Sequence, residues 1–216
     1  MKKKVFASDF DGTLYDSYPH VCACCCQVLA EEGMEHDPED VMRHLLVSFA
    51  DMKRHTGMSD EAYRRFVDRS HIVGDGEIEP VAAPYPDCEA VLRAVVEGGG
   101  RNYMYTHRGK TVYFYLEKFG MTRYFSDFVT AEDGFPSKPA PDAVLALMEK
   151  NGLAPEETIM VGDREIDGKS GQNAGIAGAL VNYPPALPDG RSPAEVSEMD
   201  VIAADLCAFA RQMGIF

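Results

Sequence analysis

Lys4-Val5-Phe6-Ala7-Ser8-Asp9-Phe10-Asp11-Gly12 decides how this chain is read. Residues Lys4 to Ser8 form a short apolar run of the kind that makes a buried strand, and the run ends on two carboxylates. Two acids separated by one residue in extended chain point to the same side. Gly12 then permits a sharp change of direction.

Outward from that strand the chain shows two rhythms. From about residue 17 to 80 it is helix after helix. Tyr18 to Gly33 carries Val21, Cys25, Val28 and Leu29 on one side, Pro38 opens a run to about Gly57, and Ser59 is a plausible N-cap for a run to Ser70. Pro80 to Pro86, with three prolines, suits a stiff connection. Thereafter strands and helices alternate. Helices are expected at Asp87–Glu97, Lys110–Phe119, Pro141–Lys150 and Glu165–Asn173. Strands are expected at Asn102–Tyr105, Phe128–Thr130, Thr158–Val161 and Ala177–Val181. Tyr183 to Pro188 reads as a surface loop before a last helix at about Ala203–Met213. Such alternation implies an α/β protein: a parallel, Rossmann-like sheet covered by helices on both faces. The helical stretch is then an inserted cap domain, residues 17–82, within a core of residues 1–16 and 83–216.

Composition narrows the partners. The 216 residues are 45% hydrophobic and carry a formal charge of −14. Disorder is therefore not expected, and an acidic surface repels nucleic acid and anionic membranes alike. A small anionic ligand is still compatible with a local positive pocket. The lysines after Met1 are followed too soon by Asp9 to read as a signal peptide, so a cytoplasmic protein, monomer or homodimer, is expected. Four of the six cysteines fall at Cys22, Cys24, Cys25 and Cys26. No His or Cys pair follows at zinc-site spacing, so they read as small buried apolar residues.

Ligands of open α/β sheets collect beyond the carboxyl ends of the strands. There the sequence puts Asp9 and Asp11, then Thr106, then Lys138 after a short loop, then Asp163 with Asp167 beyond. Clustered carboxylates repel one another, and magnesium, which favours oxygen ligands, resolves that conflict. The metal, Lys138 and the Thr106 hydroxyl could surround a phosphoryl group while one carboxylate attacks phosphorus and another moves the proton. Taken singly, each residue has a plainer reading: Asp-x-Asp as a turn, Lys138 as a surface charge, Thr106 as a helix cap, Asp167 as a structural partner of Lys138. His107 and Arg108 are weaker candidates for holding substrate, Arg by its forked donors. His20, His44, Arg54 and His55 in the helical stretch read better as solvated helix-face residues than as substrate contacts. The run Tyr113-Phe114-Tyr115 reads as the core and surface of one helix.

Together these residues resemble the haloacid dehalogenase superfamily. Ser8-Asp9-Phe10-Asp11-Gly12-Thr13-Leu14 is similar to its first motif and Tyr105-Thr106 to its second. Ser137 to Asp142 (SKPAPD) is similar to the third and Gly162 to Asp167 (GDREID) to the fourth. The resemblance spans almost the whole chain and implies a member like the phosphoglycolate phosphatases, with a helical cap after the first motif. It implies Asp9 as nucleophile and metal ligand, and Asp11 as general acid/base that offers a backbone carbonyl to magnesium. It further implies Thr106 and Lys138 on phosphate, Asp163 on the metal, and Asp167 on the metal or its water shell. The chain departs from the pattern after Thr106, where members often have Asn and this sequence has His107 and Arg108. The expected activity is magnesium-dependent hydrolysis of a small phosphorylated metabolite through an aspartyl-phosphate. The alternatives are a phosphomutase of the beta-phosphoglucomutase type and a catalytically idle binding protein. A dehalogenase is disfavoured, since those relatives lack the acid at the position of Asp11.

Overall fold

Alternation within the strands sets two apolar faces, and the computed structural model, which describes residues 4–70, 82–184 and 186–216, shows both covered. The chain opens with β1 (Val5–Ser8) and a short β2 (Tyr15–Asp16). Four helices follow: α1 (Tyr18–Glu31), α2 (Pro38–Val47), α3 (Phe49–Thr56) and α4 (Asp60–Ser70). The chain is next described at β3 (Ala83–Pro84), then α5 (Cys88–Glu97), β4 (Arg101–Tyr105), α6 (Thr111–Lys118) and β5 (Phe125–Val129). The remainder comprises α7 (Asp142–Asn151), β6 (Thr158–Gly162), α8 (Glu165–Asn173) and β7 (Ala177–Leu180). It ends with α9 (Pro193–Val196), β8 (Val201–Ile202) and α10 (Leu206–Met213).

Six strands form one sheet in the order β5-β4-β1-β6-β7-β8, every neighbouring pair parallel. Phe6, Met104, Ile159 and Val161 face a core completed by α5, α6 and α10. The intervening residues Val5, Ala7, Tyr103, Tyr105 and Met160 face a second core completed by Val144 and Leu147 of α7. α8 lies close on β6 because Gly171 faces it; a Cβ there would come within 2.6 Å of Met160 Cβ. Strands buried on both faces are what a parallel sheet with helices above and below requires. The α/β, Rossmann-like expectation is met.

The chain leaves β1 to build β4 and β5 on one side, then returns to build β6, β7 and β8 on the other. β1 is therefore the switch point, where a crevice opens beyond the strand ends. Helices α1 to α4 share an apolar cluster of their own, built on Val28, Leu29, Val41, Leu45, Met52 and Phe66. Cys22, Cys24 and Cys25 are buried in it, as small apolar residues would be, whereas Cys26 is only half-buried at its edge. β2 and β3 pair antiparallel, Tyr15 with Pro84 and Asp16 with Ala83, where the chain goes out to these helices and comes back.

Three expectations need correction. The run from Pro38 to Gly57 is two helices. Ser48 is extended (φ −172°, ψ 159°), and its hydroxyl accepts from Asp51 N at 3.0 Å, so it ends one helix and caps the next. The expected connection at Pro80–Pro86 includes β3, although Pro80 and Val81 lie outside the described residues, as does Pro185 in the expected loop. The last helix starts at Leu206, because Val201 and Ile202 pair with Ala179 and Leu180 as an edge strand. Two residues are too few for alternation to announce a strand. Among the described residues no helix is long and apolar enough to cross a membrane.

Candidate active site at the strand ends

Parallel register is what brings distant residues together here. Ser8 pairs with Met104 on one side and Val161 on the other, so the residues after β1, β4 and β6 emerge at one level. Lys138, from the loop before α7, reaches into their midst. Its ammonium lies 2.9 Å from Asp9 Oδ1 and 2.9 Å from Asp167 Oδ1, and donates to Tyr105 O at 3.0 Å. Arg164 approaches the other carboxylate oxygens, 3.7 Å from Asp9 Oδ2 and 3.7 Å from Asp167 Oδ2. Asp167 also accepts from the backbone N of Arg164 at 3.1 Å, which holds the first turn of α8.

Asp163 is held separately. Thr13 Oγ1 donates to its Oδ1 at 3.0 Å, and the Tyr18 hydroxyl donates to its Oδ2 at 2.9 Å. Gly12 makes this approach possible. Its φ is +76°, and a Cβ would come within 2.2 Å of the Tyr18 ring and 2.5 Å of Asp163 Oδ2.

Asp11 faces elsewhere. Arg108 Nε donates to its Oδ2 at 3.1 Å and Nη2 to its Oδ1 at 2.6 Å, a two-pronged ion pair. The Arg108 backbone N donates to Thr106 Oγ1 at 3.0 Å, and acceptance leaves that hydroxyl its own proton to give. Thr106 thus braces the turn after β4 rather than the start of α6. The Lys138 backbone N donates to His107 Nε2 at 3.1 Å, so the imidazole proton belongs on Nδ1.

The charges are uneven. Burial is the largest influence on Asp9 and raises it, Lys138 notwithstanding. Burial also pushes Asp163 up to about 7, with Arg164 opposing and Asp167 and Asp9 adding to the rise. For Asp167 burial is outweighed by Lys138 and Arg164, and it stays low. Burial works against the charge on Lys138, but Asp167 and Asp9 outweigh it and raise the ammonium. His107 is lowered to about 4, by burial first and then by Lys138 and Arg164, so it is neutral near pH 7.

Three buried carboxylates, Asp9, Asp163 and Asp167, each offer an oxygen, all within 4.8 Å of one another. Three carboxylates face two cations, Lys138 and Arg164, so the group is one positive charge short. An all-oxygen, charge-deficient set of this kind suits a hard divalent cation. Above it lies a cavity of about 350 Å³ lined by Asp9, Asp11, Thr106, His107, Arg108, Lys138 and Arg164 from the sheet side. Tyr18, Val21, Phe49, Tyr63 and Val67 line it from the helical side.

A model of the haloacid dehalogenase-like hydrolases matches residues 7–181. The chain belongs to that family. Among haloacid dehalogenase-like relatives, a phosphoglycolate phosphatase of Vibrio vulnificus is 31% identical, over 94% of this chain and 92% of its own. The pyrophosphatase PpaX of Oceanobacillus iheyensis is 28% identical over 85% of each chain. The fold is shared with a putative haloacid dehalogenase-like hydrolase of Bacteroides fragilis. It has a TM-score of 0.79 at 21% identity, and covers 95% of this chain and 98% of that one.

Within this haloacid dehalogenase-like chain, Asp9, Asp11, Thr106, His107, Arg108 and Lys138 share one cavity, and Asp163 and Asp167 lie beside it. Among the described residues, no histidine of the helical stretch lines that cavity, but His44 lines a second one together with Asp163 and Arg164. His44 and His55 stack on each other at 3.6 Å and pair with Asp51 and Asp40; Arg54 also pairs with Asp51. His20 sits against Cys24. Thr13, Tyr18 and Arg164 are site residues that sequence reasoning left unassigned. Thr13 and Arg164 stood inside quoted motifs, whereas nothing in the sequence tied Tyr18 to Asp163.

Proposed function

We propose that this hydrolase cleaves small phosphate monoesters with magnesium, through an aspartyl-phosphate on Asp9. The observation that carries the reading is Lys138, a buried ammonium shared between Asp9 and Asp167 at the mouth of a cavity that also presents Asp11 and Thr106. A cation in that position holds a phosphoryl oxygen and orients the nucleophile at once.

In the first step an Asp9 oxygen bonds to phosphorus as the bond to the leaving oxygen breaks, and Asp11 gives its proton to that oxygen. In the second step water bonds to phosphorus and gives a proton to Asp11, the bond from phosphorus to Asp9 breaks, and inorganic phosphate leaves. Thr106 and Lys138 hold the phosphoryl oxygens, with His107 neutral beside them. Asp9, Asp163 and Asp167 would hold magnesium, which when bound neutralises charge gathering on the phosphoryl oxygens. Residues 17–82 act as the cap that covers the reacting group. The names of the curated relatives make phosphoglycolate the first substrate to test.

Release of inorganic phosphate from phosphoglycolate and from p-nitrophenyl phosphate, with magnesium and with chelator, tests the proposal. Magnesium-dependent release is expected, and Asp9→Asn should abolish it. A near-normal rate in Asp9→Asn would refute the assigned nucleophile.

A further inference from the structure

We propose that Arg108 is a positioning residue for Asp11, setting the carboxylate that delivers and collects the proton; this rests on the phosphatase reading above. The guanidinium is walled in. Its side chain is 3% exposed, while that of Asp11 is 23% exposed. The carboxylate, not the guanidinium, is what the pair presents to a ligand. Both Asp11 oxygens accept from the fork, which fixes rotation about the bond to the carboxyl carbon, and each oxygen keeps a second lone pair on which the proton can ride with the fork in place. The third nitrogen, Nη1, donates to Thr111 Oγ1 at 3.5 Å. Phe10 and Tyr115 flank the guanidinium at 5.4 Å each, and both rings are fully buried.

The backbone is tied as firmly. Arg108 N donates to Thr106 Oγ1 and Arg108 O accepts from Ala131 N at 3.2 Å. One residue therefore links the hydroxyl assigned to phosphate with the carboxylate assigned to the proton. A side chain confined by two rings and three hydrogen bonds cannot reach for substrate without abandoning all of them. It acts through Asp11.

The plainer alternative is that Asp11 merely neutralises a buried arginine. Leaving-group dependence separates the two. An aryl phosphate with an acidic phenol needs little proton delivery, whereas an alkyl phosphate needs it fully. Turnover of ethyl phosphate, p-nitrophenyl phosphate and phosphoglycolate is measured as kcat and KM in the wild-type chain, Arg108→Ala and Arg108→Lys, with kcat/KM reporting the steps through departure of the leaving group. Both variants should lose about a hundredfold on ethyl phosphate, and at least about tenfold less on p-nitrophenyl phosphate. Lysine keeps the charge but not the fork, so it should share the defect. Residual aryl turnover reports that each variant is folded.

Equal losses on both substrates in Arg108→Lys would make Arg108 structural and overturn the proposal. So would a rise in KM confined to phosphoglycolate with ethyl phosphate untouched, since Arg108 would then bind substrate directly. Failure of the wild-type chain to release phosphate from any of the three overturns the phosphatase reading itself, and this one with it.

Discussion

Lys138 illustrates how much one buried charge can bind together. Removing it leaves Asp9 and Asp167 with Arg164 alone, 3.7 Å from each, so the loss lies below the roughly 3–5 kcal/mol of a buried charge left wholly unpaired. In the presence of chelator, Lys138→Met should lower the urea midpoint accordingly, and adding Asp167→Asn should recover part of the loss. A midpoint equal to that of the wild-type chain would contradict the geometry. His107 makes a prediction with the opposite trigger. Its imidazole titrates near 4 when folded and near 6.5 when unfolded, so the unfolded chain binds the extra proton first. Stability rises with pH across that window and is lost as pH falls from about 6.5 to 4, by about 3 kcal/mol from this group. Denaturant midpoints across that range should fall more steeply for the wild-type chain than for His107→Gln. These partners were only half legible. The motif residues were plain in the sequence, but the ion pair between Arg108 and Asp11 joins positions 97 apart, and no local pattern predicts which carboxylate a lone arginine will take.

At the scale of elements, β4 shows what the apolar pattern conceals. Asn102 is a buried amide within the strand; its Nδ2 donates to Leu92 O at 2.9 Å and to Tyr124 O at 3.2 Å. It joins α5 to the turn that leads into β5. Asn102→Ala should cost about 1–3 kcal/mol through the two carbonyls left without a donor, measurable by thermal unfolding, while leaving turnover of the surviving folded enzyme intact. The long, periodic elements were the legible ones. The helix Glu165–Asn173 has its expected bounds, and the strands around the site lie within a few residues of theirs. What escaped was decided by tertiary pairing or by a single backbone angle. β8 exists because Leu180 and Ala179 offer an edge to Val201 and Ile202. The break at Ser48 arises because its hydroxyl caps α3, a competition that helical periodicity cannot see.

For the molecule as a whole, the site is a deficit of positive charge set at the switch point of the sheet. A divalent cation that binds only the folded chain should therefore stabilise it, by about 2.7 kcal/mol at a hundred times its dissociation constant. Magnesium is expected to raise the unfolding temperature, chelator to reverse the rise, and Asp163→Asn to remove most of it. An unfolding temperature of the wild-type chain that magnesium leaves unchanged would contradict the charge account. The α/β architecture was legible throughout because alternation of strand and helix repeats over more than half the chain. The line between the helices and the sheet is drawn by four residues, Tyr15 and Asp16 against Ala83 and Pro84. The outgoing and returning chain meet side by side there, and Tyr18 of α1 reaches Asp163, so the helices meet the sheet side at the site as well as at that pair. None of those four residues belongs to the six-stranded sheet, so the helices wall the cavity without entering the strand register that brings Asp9, Thr106 and Asp163 to one level.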